Sequence, residues 1–484
     1  MLALQIVTSI LNAVLLVGLS IRLVHIFQLG GYRVSKFCGW IIGRQNAYAM
    51  MLFVLGILGL GSTWLVYNFS DSGWAYFGLL FYIVLAITAI TISLKRKNKV
   101  PLRLTPRVYR LLAAIFLIAI APSFEILFRT SPQFLPLIAI ALPVIVVLAA
   151  LVVCPIESIV KQRYINRAKR KLFSKDYENL IRIGIAGSYG KTTCKNILAK
   201  MLEQKYSVLP SPASFNTPMG FTKTVLEKLE PTHQVFIMEM GERFKGDIRE
   251  MCELFKPHHG IITSIGTAHL ETFKTPDAIK AEIYELENWV KKSPDGFAVT
   301  PFTKGEFVNM QTRLLGKHNQ ENIALCAAMA RKLGLTEDHI KTAVAALEPV
   351  PHRLQLIESE NGVKILDDSY NSNPDGVTAA LNVLKDLKQK NAAIVMTPGM
   401  VELGKTQYDE NKKFGAQMAG IADRVIIIGE VNKLAIQSGL LENGFDKNNI
   451  HLAPTVEHAK TLFPTLLTPG DVLLIENDLP DNFN

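Results

Sequence analysis

A glycine-rich segment, Gly184–Thr193, combines the residue types that bind phosphate. An apolar run ends near Ile185, and a helical pattern over Lys195–Leu202 follows the segment. In such a strand–loop–helix setting, backbone N–H groups of the loop and of the helix N-terminus point at phosphate oxygens. We expect Lys191 to reach the outer phosphates of ATP and the Thr192 hydroxyl to hold Mg²⁺. The residues that we expect to contact the nucleotide are Gly187, Ser188, Tyr189, Gly190, Lys191, Thr192 and Thr193.

The spacing of this segment differs from the strict phosphate-binding pattern at one place. That pattern has a glycine five residues before Gly190, and this chain has Ile185 there. The alternative to a phosphate site is therefore an ordinary glycine-rich turn with a chance Gly-Lys-Thr sequence.

Polar side chains also follow two apolar runs that resemble buried parallel strands. Glu239 comes directly after Gln234–Met238, and His269 follows Ile261–Ile265 closely. Sheets of this kind bind their ligands beyond the carboxyl ends of the strands. We therefore expect Glu239 to reach the same Mg²⁺ as Thr192. Taken alone, His269 can equally be a hydrogen-bonded loop histidine, and Glu239 can be a strand-end acid paired with a neighbour.

Charge is divided unevenly along the chain, whose 484 residues carry a formal net charge of +10. Residues 1–175 contain 19 lysines and arginines and three acidic residues, whereas the other 309 contain 33 basic and 39 acidic residues. The positive excess thus belongs to the apolar N-terminal part, and it does not indicate a nucleic-acid partner. The five cysteines form no Cys-x-x-Cys pair, which favours a reduced compartment over a disulfide framework or a zinc site.

The N-terminal part contains five apolar stretches, most of them near the ~20 residues that a membrane-spanning helix needs. They are Leu2–Ile21, Tyr48–Val66, Trp74–Leu94, Leu111–Leu127 and Phe134–Val153. Segments 22–47, 95–110 and 155–175 together contain 18 lysines and arginines, and the two other short loops contain only Arg129. The positive-inside rule therefore places those three segments, and the rest of the chain, in the cytosol. We expect a multi-pass protein of the inner or plasma membrane that contacts lipids. Its run Arg22–Arg44 is either an interfacial helix or a solvated loop.

After residue 175, apolar runs typical of buried strands alternate with helical patterns. In the C-terminal part, the predicted strands lie near Lys364–Leu366, Ala393–Thr397, Arg424–Ile428 and Val472–Ile475. A proline-bearing break at Leu347–Pro351 divides this part in two. The sequence predicts an α-helical multi-span membrane region over residues 1–175, followed by two α/β domains. The first is a central P-loop domain over residues 176–346, and the second is a doubly wound, Rossmann-like domain over residues 347–484.

Several motifs in matching order resemble those of the Mur ligases. In the central part they are Gly184–Thr193, Glu239–Gly241, Thr263–Glu271 and Gly316–Asn322. In the C-terminal part, Leu366–Pro374 and Thr397–Gly404 are similar to the branch of the family that adds a dipeptide such as D-alanyl-D-alanine. The resemblance covers roughly residues 180–476.

The resemblance implies an ATP-dependent, ADP-forming amide ligase of peptidoglycan precursor synthesis. A muropeptide carboxylate would be activated as an acyl phosphate, which the amine of an amino acid or dipeptide then attacks. The catalytic residues implied are Lys191, Glu239, His269 and Lys280, and the metal-binding ones are Thr192, Glu239, His269 and Lys280. Lys280 matches a family lysine that CO₂ converts to a carbamate, whose anionic oxygens attract Mg²⁺ where an ammonium would repel it. Taken alone, Lys280 can also be a solvated helix residue.

The resemblance also implies contacts outside the glycine-rich segment. The residues implied for the nucleotide are Asn322, Arg353, Asp368 and Asn371, and those implied for the substrate are Asn216, Thr217 and Asn373.

The chain departs from the family at its N-terminus, where a membrane leader replaces the uridine-binding domain. The acceptor muropeptide is therefore either nucleotide-linked or presented on a lipid at the inner leaflet, and other cell-wall synthesis proteins of the membrane are possible partners. The same ligase chemistry on another amino-acid polymer is a further alternative. An ATP-driven transporter and an inactive scaffold are alternatives of different classes. The membrane stretches contain almost no internal charge, which argues against a transporter, and Lys191, Glu239, His269 and Lys280 together argue against a scaffold.

Overall fold

The computed structural model describes residues 2–43, 47–69, 75–95, 100–129, 132–212, 215–266, 270–303, 310–370, 372–401 and 403–478. His269 and Asn371, two residues of the predicted site, lie outside these ranges. The chain divides after Gln162 into two compact units.

The first unit is helical. Its helices are α1 Leu2–Leu29, α2 Val34–Ile42, α3 Ala47–Phe69, α4 Ala75–Lys95, α5 Pro106–Arg129 and α6 Leu142–Leu172, the last of which continues past Gln162. Each of the five predicted apolar stretches overlaps one of the long helices. Among the described residues, three helices are long and apolar enough to cross a membrane: Ser9–Leu29, Pro106–Ile126 and Leu142–Leu172. Shorter apolar helices cover Met50–Gly61 and Ile83–Ile92.

Two boundaries differ from the prediction. The stretch predicted from Phe134 begins as a 3-10 helix over Pro132–Ala139, and α6 starts only at Leu142. Pro143 fits the second position of α6, where a missing N–H costs no helical hydrogen bond. The run Arg22–Arg44 contains the end of α1 and the separate helix α2.

Polar contacts connect helices of this unit within its apolar core. The Asn12 side-chain amide donates to Ser123 Oγ at 2.9 Å, which joins α1 to α5, and both side chains are buried. Tyr48 donates its hydroxyl to the Leu19 carbonyl at 2.6 Å. Near the other end of α5, Arg110 Nε lies 2.6 Å from Glu157 Oε1 on α6.

The second unit begins with a parallel sheet of five strands in the order β2-β3-β1-β4-β5. The strands are β1 Ile181–Ala186, β2 Val208–Pro210, β3 Val235–Glu239, β4 His259–Ile262 and β5 Phe297–Val299. The helices around this sheet are α7 Lys191–Leu202, α8 Pro218–Lys228, α9 Asp247–Phe255, α10 Leu270–Phe273, α11 Pro276–Val290, α12 Lys317–Lys332 and α13 Glu337–Ala345. Two separate apolar cores, one on each face, bury the central strand β1.

A six-stranded sheet follows, in the order β10-β9-β8-β11-β7-β6, with only the β6–β7 pair antiparallel. Its strands are β6 Gln355–Glu358, β7 Lys364–Asp368, β8 Ala393–Thr397, β9 Arg424–Ile428, β10 Ile450–Ala453 and β11 Val472–Glu476. Its helices are α14 Pro374–Lys388, α15 Gln407–Ala419, α16 Lys433–Glu442 and α17 Val456–Leu466. The predicted fold class, two α/β domains after a helical region, is confirmed.

Candidate active site

The glycine-rich loop connects β1 to α7 at the carboxyl end of the first sheet. Two glycines are required by geometry. A Cβ at Gly187 would lie 1.9 Å from Thr263 Oγ1, and Gly190 has a left-handed φ of +81° with Asn322 Oδ1 2.8 Å from the Cβ position. Ile185, which departs from the strict pattern, is a fully buried residue of β1. The loop therefore starts later than the strict pattern places it, and no glycine is needed at that position.

Lys191, the first residue of α7, is directed back over the loop. Its ammonium group donates to the carbonyls of Gly187 and Ser188 and lies 2.9 Å from Glu242 Oε1. The Glu242 side chain is only 1 % exposed, and its second oxygen has no hydrogen-bond partner among the described residues. Burial raises the pKa of Glu242, and the neighbouring Lys191 charge opposes that rise.

Thr192 and Glu239 lie together, as the sequence predicts. Thr192 Oγ1 donates to Glu239 Oε1 at 3.0 Å, and the other carboxylate oxygen, Oε2, lies 2.8 Å from Lys195 Nζ. The backbone N–H of Glu239 donates to Ser211 Oγ at 3.2 Å. The carboxylate therefore has one oxygen held by a cation and one directed at the threonine of the loop.

The second domain of this unit contributes Arg353 to the same place. Arg353 Nη2 donates to Thr192 Oγ1 at 3.3 Å, and its guanidinium lies 4.3 Å above the centre of the Tyr370 ring. A cleft of about 310 Å³ is lined by these side chains together with Lys195 and Ser211. The predicted nucleotide residue Arg353 is thus at the mouth of the loop site, although it lies 161 positions from Thr192 in the chain.

Two carboxylates, the half-buried Asp368 and the buried Glu476, lie beside each other at the ends of β7 and β11. Asp368 pairs in register with Glu476, and the hydroxyl of Ser372 donates to Glu476 Oε1 at 2.6 Å. Burial raises the pKa of Asp368 to about 6, while the N–H of Leu354 and the charge of Arg353 act in the opposite direction. Burial and Asp368 also raise the pKa of Glu476 well above its ordinary value.

The remaining predicted residues of the loop site and substrate site have local partners. Asn322 on α12 is buried under the loop, where its Oδ1 accepts from Cys194 Sγ at 3.3 Å. The carbonyl of Asn216 accepts from Gly241 N at 2.9 Å, two residues after Glu239. Thr217 and Asn373 cap the N-termini of α8 and α14 by accepting from Gly220 N and Gly376 N. Asn216 and Thr217 are therefore close to the loop after β3, and Asn373 has a capping role in its own domain.

Lys280 is not brought into contact with Glu239 or Lys191. It lies on the exposed side of α11, and the described residues include no hydrogen-bond or ion-pair partner for its ammonium group. The neighbouring Glu282 is buried and accepts from Gly246 N at 2.7 Å and Ile248 N at 2.8 Å. That carboxylate ties α11 to the segment after β3. The sequence did not single out Glu282.

The residues present fit a Mg²⁺–nucleotide site. In the described part of the chain, no cluster of three or more His, Cys, Asp or Glu side chains can hold a metal ion. Mg²⁺ in nucleotide sites usually takes one or two carboxylates, and substrate phosphates and water complete its coordination. The Thr192 hydroxyl and the Glu239 carboxylate are hard oxygen ligands of that kind. His269 lies outside the described residues.

Comparisons with known proteins agree with this geometry. Residues 185–302 match the Mur ligase middle domain, and residues 352–476 match the Mur ligase glutamate ligase domain. The chain belongs to the Mur ligase family, and it is an ATP-dependent, ADP-forming ligase.

Individual proteins that are similar to this chain carry a more specific name than the family. The UDP-N-acetylmuramoyl-tripeptide–D-alanyl-D-alanine ligase of Mycobacterium tuberculosis is 27 % identical over 356 residues, which cover 61 % of this chain and 69 % of the relative. The enzyme of that name from Escherichia coli is 28 % identical over 335 residues, covering 60 % and 73 %. The structure of the MurF ligase from Thermotoga maritima in complex with ADP has a TM-score of 0.56 and 24 % identity, and the match covers 66 % of this chain and 80 % of that one. At that identity the structural likeness concerns the fold alone.

Proposed function

We propose that the protein is a membrane-anchored ligase that joins D-alanyl-D-alanine to the peptide carboxylate of a muropeptide in peptidoglycan precursor synthesis. The contact that carries this proposal is the hydrogen bond of 3.0 Å between Thr192 Oγ1 and Glu239 Oε1, next to the ammonium group of Lys191. The hydroxyl of Thr192 and the carboxylate of Glu239 suit a metal ion, and the Lys191 cation suits phosphate. All three groups lie together at the carboxyl end of β3.

These residues suit the transfer of a phosphoryl group to a carboxylate. Lys191 and the N–H groups at the start of α7 stabilise negative charge on the transferring group. The acceptor carboxylate oxygen forms a bond to the γ-phosphorus, the bond to the leaving ADP breaks, and an acyl phosphate results. The donor amine then attacks the acyl carbon, loses a proton and releases phosphate. When bound, Mg²⁺ supplies additional positive charge to the phosphates, held by Thr192 and Glu239.

The choice of donor is supported by two observations. Both curated relatives described above are named D-alanyl-D-alanine ligases. The segment Leu366–Pro374, which resembles that branch of the family, lies at the end of β7, and its Tyr370 lines the cleft beside Arg353. The donor would then approach from the second α/β domain.

The test is ADP release by the purified full-length protein in detergent, with acceptor and D-alanyl-D-alanine supplied together or singly. We expect release to require both substrates and the product mass to equal their sum minus water. Lys191→Ala is expected to abolish turnover, because the loss of one charge-stabilising donor costs about 3–4 kcal/mol or more. Lys200→Ala, an exposed position on α7, is the matched control. Release of ADP that does not depend on the amine would overturn the proposal.

A lipid-linked acceptor is the second candidate, and the helical unit favours it. Three described helices have the length and apolarity of membrane spans, and residues 1–184 lie outside both matched domains. Basic residues between such helices attract pyrophosphate and anionic headgroups. Turnover of a polyprenyl-linked acceptor in vesicles should therefore exceed turnover of the soluble UDP-linked form. A clear preference of the full-length protein for the soluble acceptor would decide against the lipid-linked one.

A further inference from the structure

A buried cation lies directly behind the proposed metal ligand. Lys195 Nζ is 2.8 Å from Glu239 Oε2, and the two side chains are 2 % and 4 % exposed. Neither the sequence motifs nor the family resemblance pointed to Lys195. An ammonium group is rarely buried to this degree without a specific partner, because its desolvation costs several kcal/mol.

The placement of Lys195 on α7 fixes its geometry relative to the loop. It lies three residues after Thr192, so that both side chains are on one face of the helix. Each contacts a different oxygen of the same carboxylate, Thr192 at Oε1 and Lys195 at Oε2. The Glu239 backbone is fixed in addition by Ser211 Oγ at 3.2 Å. The contact with Lys195 therefore holds Oε2 and leaves Oε1 facing Thr192 of the phosphate loop.

We propose that Lys195 is a positioning residue for the Mg²⁺–nucleotide site, acting through Glu239. It holds Oε2 so that Oε1 and the Thr192 hydroxyl face the metal together. This proposal rests on the proposed function, because it uses the same metal site. Groups that orient a metal ligand typically change metal affinity by about 10- to 100-fold when they are removed.

A purely structural ion pair makes a different prediction. If Lys195 only stabilises the fold, its removal lowers the melting temperature and disturbs the nucleotide site whether or not Mg²⁺ is present. If it positions Glu239, its removal weakens nucleotide binding only when Mg²⁺ takes part. Electrostatic repulsion between the Lys195 ammonium group and Mg²⁺ has the opposite effect. If this repulsion dominated, removal of Lys195 would make the protein bind Mg²⁺ more tightly.

The experiment measures the Kd of a fluorescent ADP analogue for the full-length protein in detergent, with excess Mg²⁺ and with a chelator. The variants are Lys195→Met, which removes charge and donor at similar length, and Lys195→Gln, which retains an N–H donor. Lys200→Met, on the exposed side of the same helix, is the control. Mn²⁺ binding followed by electron paramagnetic resonance gives a second readout that needs no turnover.

We expect Lys195→Met to weaken ADP binding by about 10- to 100-fold in Mg²⁺ and by less than about 2-fold in chelator, with a parallel loss of Mn²⁺ affinity. The ADP affinity of Lys195→Gln in Mg²⁺ should lie between those of Lys195→Met and the wild type. If Lys195→Met does not fold, the comparison of Lys195→Gln with the wild type is the test. In a Glu239→Gln background, Lys195→Met should have no further effect on the Mg²⁺ dependence.

Three results would overturn the proposal. Unchanged or tighter Mg²⁺-dependent binding in Lys195→Met would show that the ion pair does not position the ligand. Equal weakening with and without Mg²⁺ would assign Lys195 to the fold alone. If Mg²⁺ does not affect ADP binding by the wild type, the proposed metal site itself fails, and that failure is seen before any variant is compared.

Discussion

Lys191 and Glu242 form an ion pair of 2.9 Å in which the carboxylate is buried and the lysine belongs to the phosphate-binding loop. Phosphate oxygens and Glu242 therefore compete for one ammonium group. A phosphate that displaces the carboxylate also leaves Glu242 as an unpaired buried anion beside the nucleotide, which costs free energy.

Glu242→Gln should consequently tighten nucleotide binding in the absence of Mg²⁺. We expect the Kd for ADP, measured by calorimetry in a chelator, to fall by about tenfold, equivalent to about 1.4 kcal/mol. Glu203→Gln, at an exposed carboxylate that follows the last residue of α7, is the control and should not change the Kd. Weaker binding by Glu242→Gln would show that the carboxylate orients Lys191 for the phosphates instead of competing with them.

Substitution of Arg353 should show whether the cleft needs a guanidinium group or only a positive charge. Its planar guanidinium both donates to Thr192 Oγ1 and lies over the Tyr370 ring, and a lysine cannot do both with one geometry. We expect Arg353→Ala and Arg353→Lys each to lower kcat/KM for ATP by roughly 10- to 100-fold, the effect of about 1.5–3 kcal/mol from one charged hydrogen bond. Initial rates at varied ATP give the value. Full activity of Arg353→Lys would mean that charge alone is needed.

Lys280 permits a chemical rescue. It is solvent-exposed on α11, so CO₂ has access to its amine, and only the carbamate would carry oxygens for a metal. Lys280→Ala is expected to lose most activity and to regain part of it when a small carboxylate such as acetate is added. Lys291→Ala, an exposed lysine just after α11, serves as the comparison and should respond to neither change. Absence of rescue over a wide range of carboxylate concentration would count against a carbamate.

The sequence predicts the central strands well and the edge strands poorly, for a physical reason. The strands β1, β3, β4, β7, β8, β9 and β11 were all expected, and each has neighbours on both sides. The four that were missed, β2, β5, β6 and β10, are the edges of the two sheets. An edge strand is less completely buried and is short here, so it lacks the continuous apolar run that marks a central parallel strand.

The residues of the site also divide into those that the sequence predicts and those that it does not. Residues in a contiguous motif, such as Lys191 and Thr192, could be found from local spacing, and Glu239 from its place at a strand end. Lys195 and Glu242 could not be found in this way, because each forms its ion pair with a distant residue. The Lys195–Glu239 pair spans 44 positions of the chain, and the Lys191–Glu242 pair spans 51. One local signal existed, since Lys195 lies one helical turn after Thr192 and must share its face of α7. A helical lysine is nevertheless far more often exposed than buried.

The pH dependence of stability should come partly from a pair remote from the cleft, the buried Arg182 and the half-buried His258. Arg182 on β1 is 7 % exposed, and its Nη2 lies 2.5 Å from His258 Nε2. Burial, with help from Arg182, lowers the pKa of His258 to about 4. In the unfolded chain a histidine titrates near about 6.5, so between pH 6.5 and 4 the unfolded state binds more protons than the folded state. The contribution of His258 to stability is therefore complete above about pH 6.5 and is lost as the pH falls toward 4.

His258→Gln removes this titration but retains an acceptor for Arg182. Thermal unfolding of the full-length protein from pH 8 to 5 should show a smaller drop in Tm for the variant than for the wild type, by roughly 2 °C or more. Because the chain contains other histidines, only the difference between the two curves reports on His258. His458→Gln, at an exposed histidine, should follow the wild-type curve. Parallel curves for wild type and His258→Gln would mean that folding does not lower the pKa of His258.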